Sequence, residues 1–163
     1  MKSSLGFAAI AACIIAAVPC AAVAAPRSGD AAPAFTLKRA TTGTLSLSSL
    51  HGKPVYLNFF ASWCAPCNEE APFVVSLEKK YRPKGLVVVG VDEQEDASKA
   101  KGFAAKYNIP FAVVLDDGPM GKDYGAIALP VHVFIDRSGK VSTYRLGEMS
   151  AGEIEDAIKK ITS

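Results

Sequence analysis

Histidine, tryptophan and cysteine are all scarce in this 163-residue chain, which carries two His, one Trp and four Cys. The two histidines, His51 and His132, do not stand at ligand spacing from a cysteine pair. A four-ligand structural zinc site is therefore excluded. Charge of one sign is also lacking: 18 Lys and Arg face 16 Asp and Glu, for a net charge of +2. So balanced a chain gives no electrostatic footprint for nucleic acid or for a membrane surface. Disorder is excluded by composition, since 50% of the residues are hydrophobic and only 21% are charged. There is no internal repeat, and the length suits one domain.

Charge is nearly absent from the N-terminus, where Lys2 is the only charged residue before Arg27. From Leu5 to Ala25 the chain is apolar and rich in alanine. A positive start, an apolar run and a small-residue exit read as a secretory signal. Ala22-Val23-Ala24 fits the cleavage rule, so residues 1–24 are assigned to the signal and 25–163 to the folded domain. Cleavage after Ala25 would place Pro26 first, which is disfavoured. Two alternatives stand: an uncleaved anchor, since the run is about long enough to span a bilayer, and a lipoprotein-type signal at Ile10-Ala11-Ala12-Cys13. Cleavage is preferred because alanine-rich helices are less apolar than true membrane spans. Cys13 and Cys20 then leave with the signal, and Cys64 and Cys67 remain. Closing so short a loop removes little unfolded-chain entropy, so the pair reads as reactive and not as a staple.

Periodicity and turn residues set out the rest. Residues 34–37 and 44–47 form an expected hairpin around Gly43. Residues 55–60, Val-Tyr-Leu-Asn-Phe-Phe, read as a central strand buried on both faces. A helix is expected from about Cys64 to Tyr81, with Pro66 in its first turn and a kink at Pro72. Strands follow at 86–91 and 111–115, around a helix at 96–107 whose apolar stripe is Ala100, Phe103, Ala104 and Tyr107. A loop at 116–121 precedes one helical turn at 122–127. A strand at 131–135 turns at Asp136-Arg137-Ser138-Gly139 into a return strand at 141–145. Ser150 and Glu153 form a capping box for a last helix reaching Ile161. The order β-α-β-α-β, then a hairpin and a helix, implies a parallel core with antiparallel edges.

Trp63-Cys64-Ala65-Pro66-Cys67 places a C-x-x-C where a strand runs into a helix. The first sulfur stands at a helix N-terminus, where unpaired N–H groups and the macrodipole favour a thiolate. The second lies one turn further in, more buried, and can resolve a mixed disulfide. Trp63 would cover the site and offer apolar contact to a partner.

The span from Leu57 through Trp63-Cys64-Ala65-Pro66-Cys67 to Glu70 and Pro72 resembles the thioredoxin superfamily, and most nearly its exported TlpA/ResA-type members. That resemblance covers the chain from about Ala32 to its end. It implies a thioredoxin-like fold, a central mixed sheet flanked by helices, with the N-terminal β-hairpin as an extension. It also implies a thiol–disulfide oxidoreductase in which Cys64 is the nucleophile and Cys67 resolves. Leu129-Pro130-Val131-His132 resembles the strand that opens with the family's cis-proline, so Pro130 is expected to be cis. Trp63, Pro66 and Leu129 would then line the substrate site. Glu95 matches an acidic residue near the cysteines in ResA-like proteins and is a candidate acid/base for Cys67. The other reading of Glu95 is a solvated carboxylate in the acidic loop 92–96. Asn58 stands where cytoplasmic thioredoxins carry a buried aspartate, which moves the base role elsewhere.

Val131 and His132 depart from the family, which often has Thr after the cis-proline. His132 could tune a thiolate, but reads more simply as a strand side chain on a half-exposed face. His51 reads as surface, and Tyr107, Tyr124 and the phenylalanines as core. The Ala65-Pro66 dipeptide lacks the histidine of strong oxidants, so a reductase is expected, acting in the periplasm on disulfide-containing exported proteins of cytochrome c or copper-site maturation. By resemblance its electrons would come from a membrane thiol reductant of the CcdA/DsbD type. A monomer without cofactor, metal or nucleic acid is expected. The competing reading is a copper-binding chaperone using Cys64, Cys67 and His132. A peroxidase would need a lone cysteine behind Thr or Pro residues, which this chain lacks.

Overall fold

The strongest β-forming run, Val55–Phe60, becomes the central strand of the domain. The computed structural model describes residues 24–163. The expected signal segment, with Cys13 and Cys20, therefore lies outside the described residues except for Ala24. Among the described residues no helix is long and apolar enough to cross a membrane.

Seven strands and four α-helices follow in order: β1 Thr36–Arg39, β2 Thr44–Ser46, β3 Val55–Phe60, α1 Ala65–Tyr81, β4 Val87–Glu93, α2 Ala97–Lys106, β5 Ala112–Asp116, α3 Pro119–Asp123, β6 Val131–Ile135, β7 Val141–Leu146 and α4 Ala151–Thr162. The strands form one mixed sheet in the order β2-β1-β5-β4-β3-β6-β7. β3, β4 and β5 run parallel, while β6 and β7 add antiparallel. The N-terminal hairpin joins the same sheet, because β1 pairs antiparallel with β5.

Alternation along β3 divides the core. Val55, Leu57 and Phe59 face a cluster closed by Met120 and Tyr124 of the α3 region and by Phe35 and Leu50. Tyr56 and Phe60 face the other side, packed under α1 and α4 and under α1 and α2 respectively. Gly90 of β4 lies on this second face, where a Cβ would come 3.1 Å from the Phe60 ring. α4 starts with the reciprocal capping box of Ser150 and Glu153.

Three local expectations are corrected. The short helix is Pro119–Asp123, not 122–127, because Gly118 and Pro119 start it and Asp116 accepts from the N–H groups of Met120 and Gly121. β4 continues through Asp92 and Glu93, so those acids are strand and not loop. α1 spans Ala65–Tyr81 with the exposed Pro72 inside it, as expected. Phe73 is exposed, unlike the other core phenylalanines.

Candidate active site

Register brings three segments to one end of the sheet. Phe60 pairs with Asp92, and Phe59 with Val131. The loop carrying Cys64, the turn after β4 and the entry to β6 therefore meet at the C-terminal ends of β3 and β4.

Cys64 is the N-cap of α1, and its Sγ accepts the Cys67 N–H at 3.2 Å. Pro66 sits in the first turn, where its missing N–H costs no helical bond. Cys64 and Cys67 are joined as a disulfide across a Cα–Cα distance of 5.2 Å. Both are only 4% exposed, so the expected contrast between an open first sulfur and a buried second one is not present in the oxidised pair. The apolar cluster of Phe60, Ala61, Ala71, Ala100 and Phe103 encloses both residues equally.

Trp63 is 72% exposed, and with Ile127, 87% exposed, it forms an apolar rim beside the pair. Trp63, Gln94, Ala126, Ile127 and Leu129 line a groove beside the site. Leu129 also packs against the cluster that holds the cysteines, and the Leu129–Pro130 peptide is cis.

Asn68, which sequence reasoning passed over, ties this end together. Its Nδ2 donates to the Ser62 carbonyl at 3.0 Å and to the Cys64 carbonyl at 2.7 Å. Its Oδ1 accepts from Lys106 Nζ at 2.9 Å and from the Tyr107 hydroxyl at 2.7 Å. The loop before the helix is thereby fastened to α2. No pattern in the sequence marks an asparagine one residue after a cysteine as a hub.

Glu95 is half-buried and accepts the Ser62 backbone N–H on one carboxylate oxygen and the Ser62 hydroxyl on the other, the latter at 2.7 Å. Asp92, three residues before it, is wholly buried on the sheet face of the cysteine cluster, and neither of its oxygens has a hydrogen-bond donor. Burial first, then the neighbouring Glu95 carboxylate, push its pKa up to about 7. On the opposite face Glu93 pairs in register with Asp116, and burial followed by Asp116 pushes it up to about 8.

His132 is not half-exposed. It is wholly buried, because β6 is an interior strand between β3 and β7. Its Nδ1 lies 2.8 Å from the Tyr56 hydroxyl. Its Nε2 is 3.3 Å from Glu70 Oε2, outside hydrogen-bond geometry, so both atoms lack a partner. Burial lowers His132 to about 4 and raises Glu70 to about 7, so the contact is not an ion pair at any pH between. Glu70 Oε1 accepts the Met149 N–H at 2.7 Å. His132 thus belongs to a network reaching α4. Among the described residues no group of three or more His, Cys, Asp or Glu side chains is placed to hold a metal ion. Cys64, Cys67 and His132 do not form such a group.

The Redoxin family model matches residues 27–161. Thiol-disulfide oxidoreductase ResA of Bacillus thuringiensis subsp. konkukian is 36% identical over 135 residues, 82% of this chain and 78% of that one. The ResA protein of Bacillus subtilis is 34% identical, with 82% and 75% covered. A crystal structure of a putative thiol:disulfide interchange protein DsbE from Chlorobium tepidum superposes with a TM-score of 0.79 at 34% identity, covering 85% of this chain and all of that one.

Proposed function

Because the chain belongs to the Redoxin family and is a ResA-like thiol–disulfide oxidoreductase of the thioredoxin superfamily, we propose that it works as a reductase of exported proteins in the periplasm. The observation that carries this reading is the N-cap sulfur of Cys64, which accepts the Cys67 N–H beside the groove lined by Trp63, Ile127 and Leu129. On reduction, that N–H and the helix dipole stabilise a Cys64 thiolate. The thiolate attacks a substrate cystine held against Trp63, Pro66 and Leu129, with the cis Pro130 turning the Leu129 backbone toward an added strand of substrate. A mixed disulfide forms, Glu95 takes the Cys67 proton, and Cys67 displaces the substrate sulfur.

Residues 1–24 serve as the export signal in this reading, and a membrane thiol reductant of the CcdA/DsbD type recharges a monomeric enzyme. Oxidised cysteine pairs of cytochrome c or copper-site maturation are the substrate class. The uncharged Ala65-Pro66 dipeptide supports the reducing direction, because nothing between the cysteines over-stabilises the thiolate.

Cys64→Ser is expected to abolish electron transfer from the dithiol to a peptide cystine, read by thiol release under single turnover. Retained activity in that variant overturns the mechanism. A reduction potential measured against glutathione tests direction: a value near that of strong periplasmic oxidants reverses the reductase assignment.

A further inference from the structure

We propose that Asp92 and Glu95 share one exchangeable proton beside the cysteines, with Asp92 a positioning residue that sets the protonation of Glu95. This rests on the reading of Glu95 as the group that accepts the Cys67 proton.

Placement carries the argument. Asp92 lies in β4 with Phe60 on one side and Leu115 on the other in register. Both of those residues belong to the cluster that encloses Cys64 and Cys67. Its carboxyl is fully buried and receives no donor from backbone or side chain. A bare carboxylate in such a place is costly, and a protonated carboxyl giving its hydrogen to a neighbouring carboxylate resolves the cost.

Glu95 is that neighbour, and Ser62 fixes it at both oxygens. The one cation facing this corner from β1 is Lys38, which lines the groove that Glu95 also lines. The charges acting on Asp92 come from Glu95 and Asp96, α1 presents the cysteine pair, and α2 presents Ala100, Phe103 and Tyr107. Burial and the Glu95 charge hold Asp92 protonated up to about pH 7.

The chemistry balances without any further reactant. Cys64 thiolate attacks the substrate cystine, one substrate sulfur departs as a thiolate, and the other is joined to Cys64. Cys67 gives its proton to the carboxyl pair, attacks the Cys64 sulfur and displaces the second substrate sulfur, which leaves and takes the proton back. Two electrons pass from the cysteine pair to the substrate cystine, and the carboxyls finish with the single proton they began with. Glu95 alone would meet that proton as an isolated carboxylate; the Asp92 carboxyl makes it half of a pair that holds one proton between its members.

The test is the pH profile of mixed-disulfide decay, followed by acid quench after mixing the reduced full chain with a cystine-bridged peptide. Glu95→Gln is expected to slow decay by about 100-fold or more, the lower end of general-base contributions. Asp92→Asn is expected to slow it less and to erase the inflection near pH 7. A wild-type profile in Asp92→Asn, with Glu95→Gln slow, overturns this inference and leaves the Glu95 reading intact. A wild-type rate in Glu95→Gln overturns both. Carboxyl carbon NMR of the oxidised wild-type protein supplies a readout that needs no variant. Asp92 is expected to titrate near neutrality, and titration in the usual aspartate range overturns the proposal.

Discussion

At the residue scale, the site depends on a few polar side chains that fasten an otherwise apolar end of the sheet. Asn68 makes four hydrogen bonds there, two to the backbone around Cys64 and two from α2. Its replacement leaves the Ser62 and Cys64 carbonyls and the Tyr107 hydroxyl without those partners. Asn68→Ala is expected to cost about 1–3 kcal/mol in chemical denaturation. It should also slow disulfide reduction, because the N-cap loses the ties that hold its sulfur over the helix. Unchanged stability together with an unchanged rate would show the network to be dispensable. Tyr56, His132 and Glu70 make a second buried polar group, and its reach to Met149 links the active-site helix to the start of α4.

At the element scale, α1 and α4 pack together over Tyr56 and Phe134. α4 owes its start to a local device, since Ser150 accepts the Glu153 N–H and the Glu153 carboxylate accepts the Ser150 N–H. Ser150→Ala is expected to lower stability by about 1 kcal/mol, measured as a shift of the urea midpoint. Activity should persist, because the cap lies outside the cysteine cluster. β4 shows how an element can hide function. Its alternation continues past Val91, so Asp92 falls on the cysteine face and Glu93 on the α3 face. Gly121 accommodates Glu93 because a Cβ there would meet the Glu93 carboxylate at 2.5 Å.

For the whole molecule, three buried carboxyls set the response to pH. Glu70 and Asp92 are raised to about 7 and Glu93 to about 8, mainly by burial. Each binds its proton more tightly folded than unfolded, so its stabilising effect is full below about pH 4 and is lost as pH rises through 7 to 8. His132, lowered to about 4, acts in the opposite sense, but only between about 4 and its unfolded value of 6.5. Above that value the carboxyls act unopposed. Stability is therefore expected to fall by roughly 3–6 kcal/mol between pH 6 and pH 8.5. Calorimetric melting of the oxidised protein across that range measures it, and a melting temperature that is flat or rises with pH contradicts the assignment of buried neutral acids.

Most of the elements and the reacting pair are legible in the order of residues alone. An apolar β-forming run, a C-x-x-C at the following helix start and Ser-x-x-Glu before the last helix are local signals, and each acts within a few residues. Strand β3 and strand β6 fall on the residues read from the sequence, and the hairpin, α2 and β5 lie within two residues of theirs. Which polar side chains are sealed inside follows from the assembled sheet and not from any local signal. His132 reads as half-exposed until β7 covers its strand, and Asp92 reads as loop until β4 is seen to continue beside β3 and β5. Burial is a property of neighbours far apart in the chain, and it is burial that turns ordinary acids and an ordinary histidine into neutral groups inside the domain.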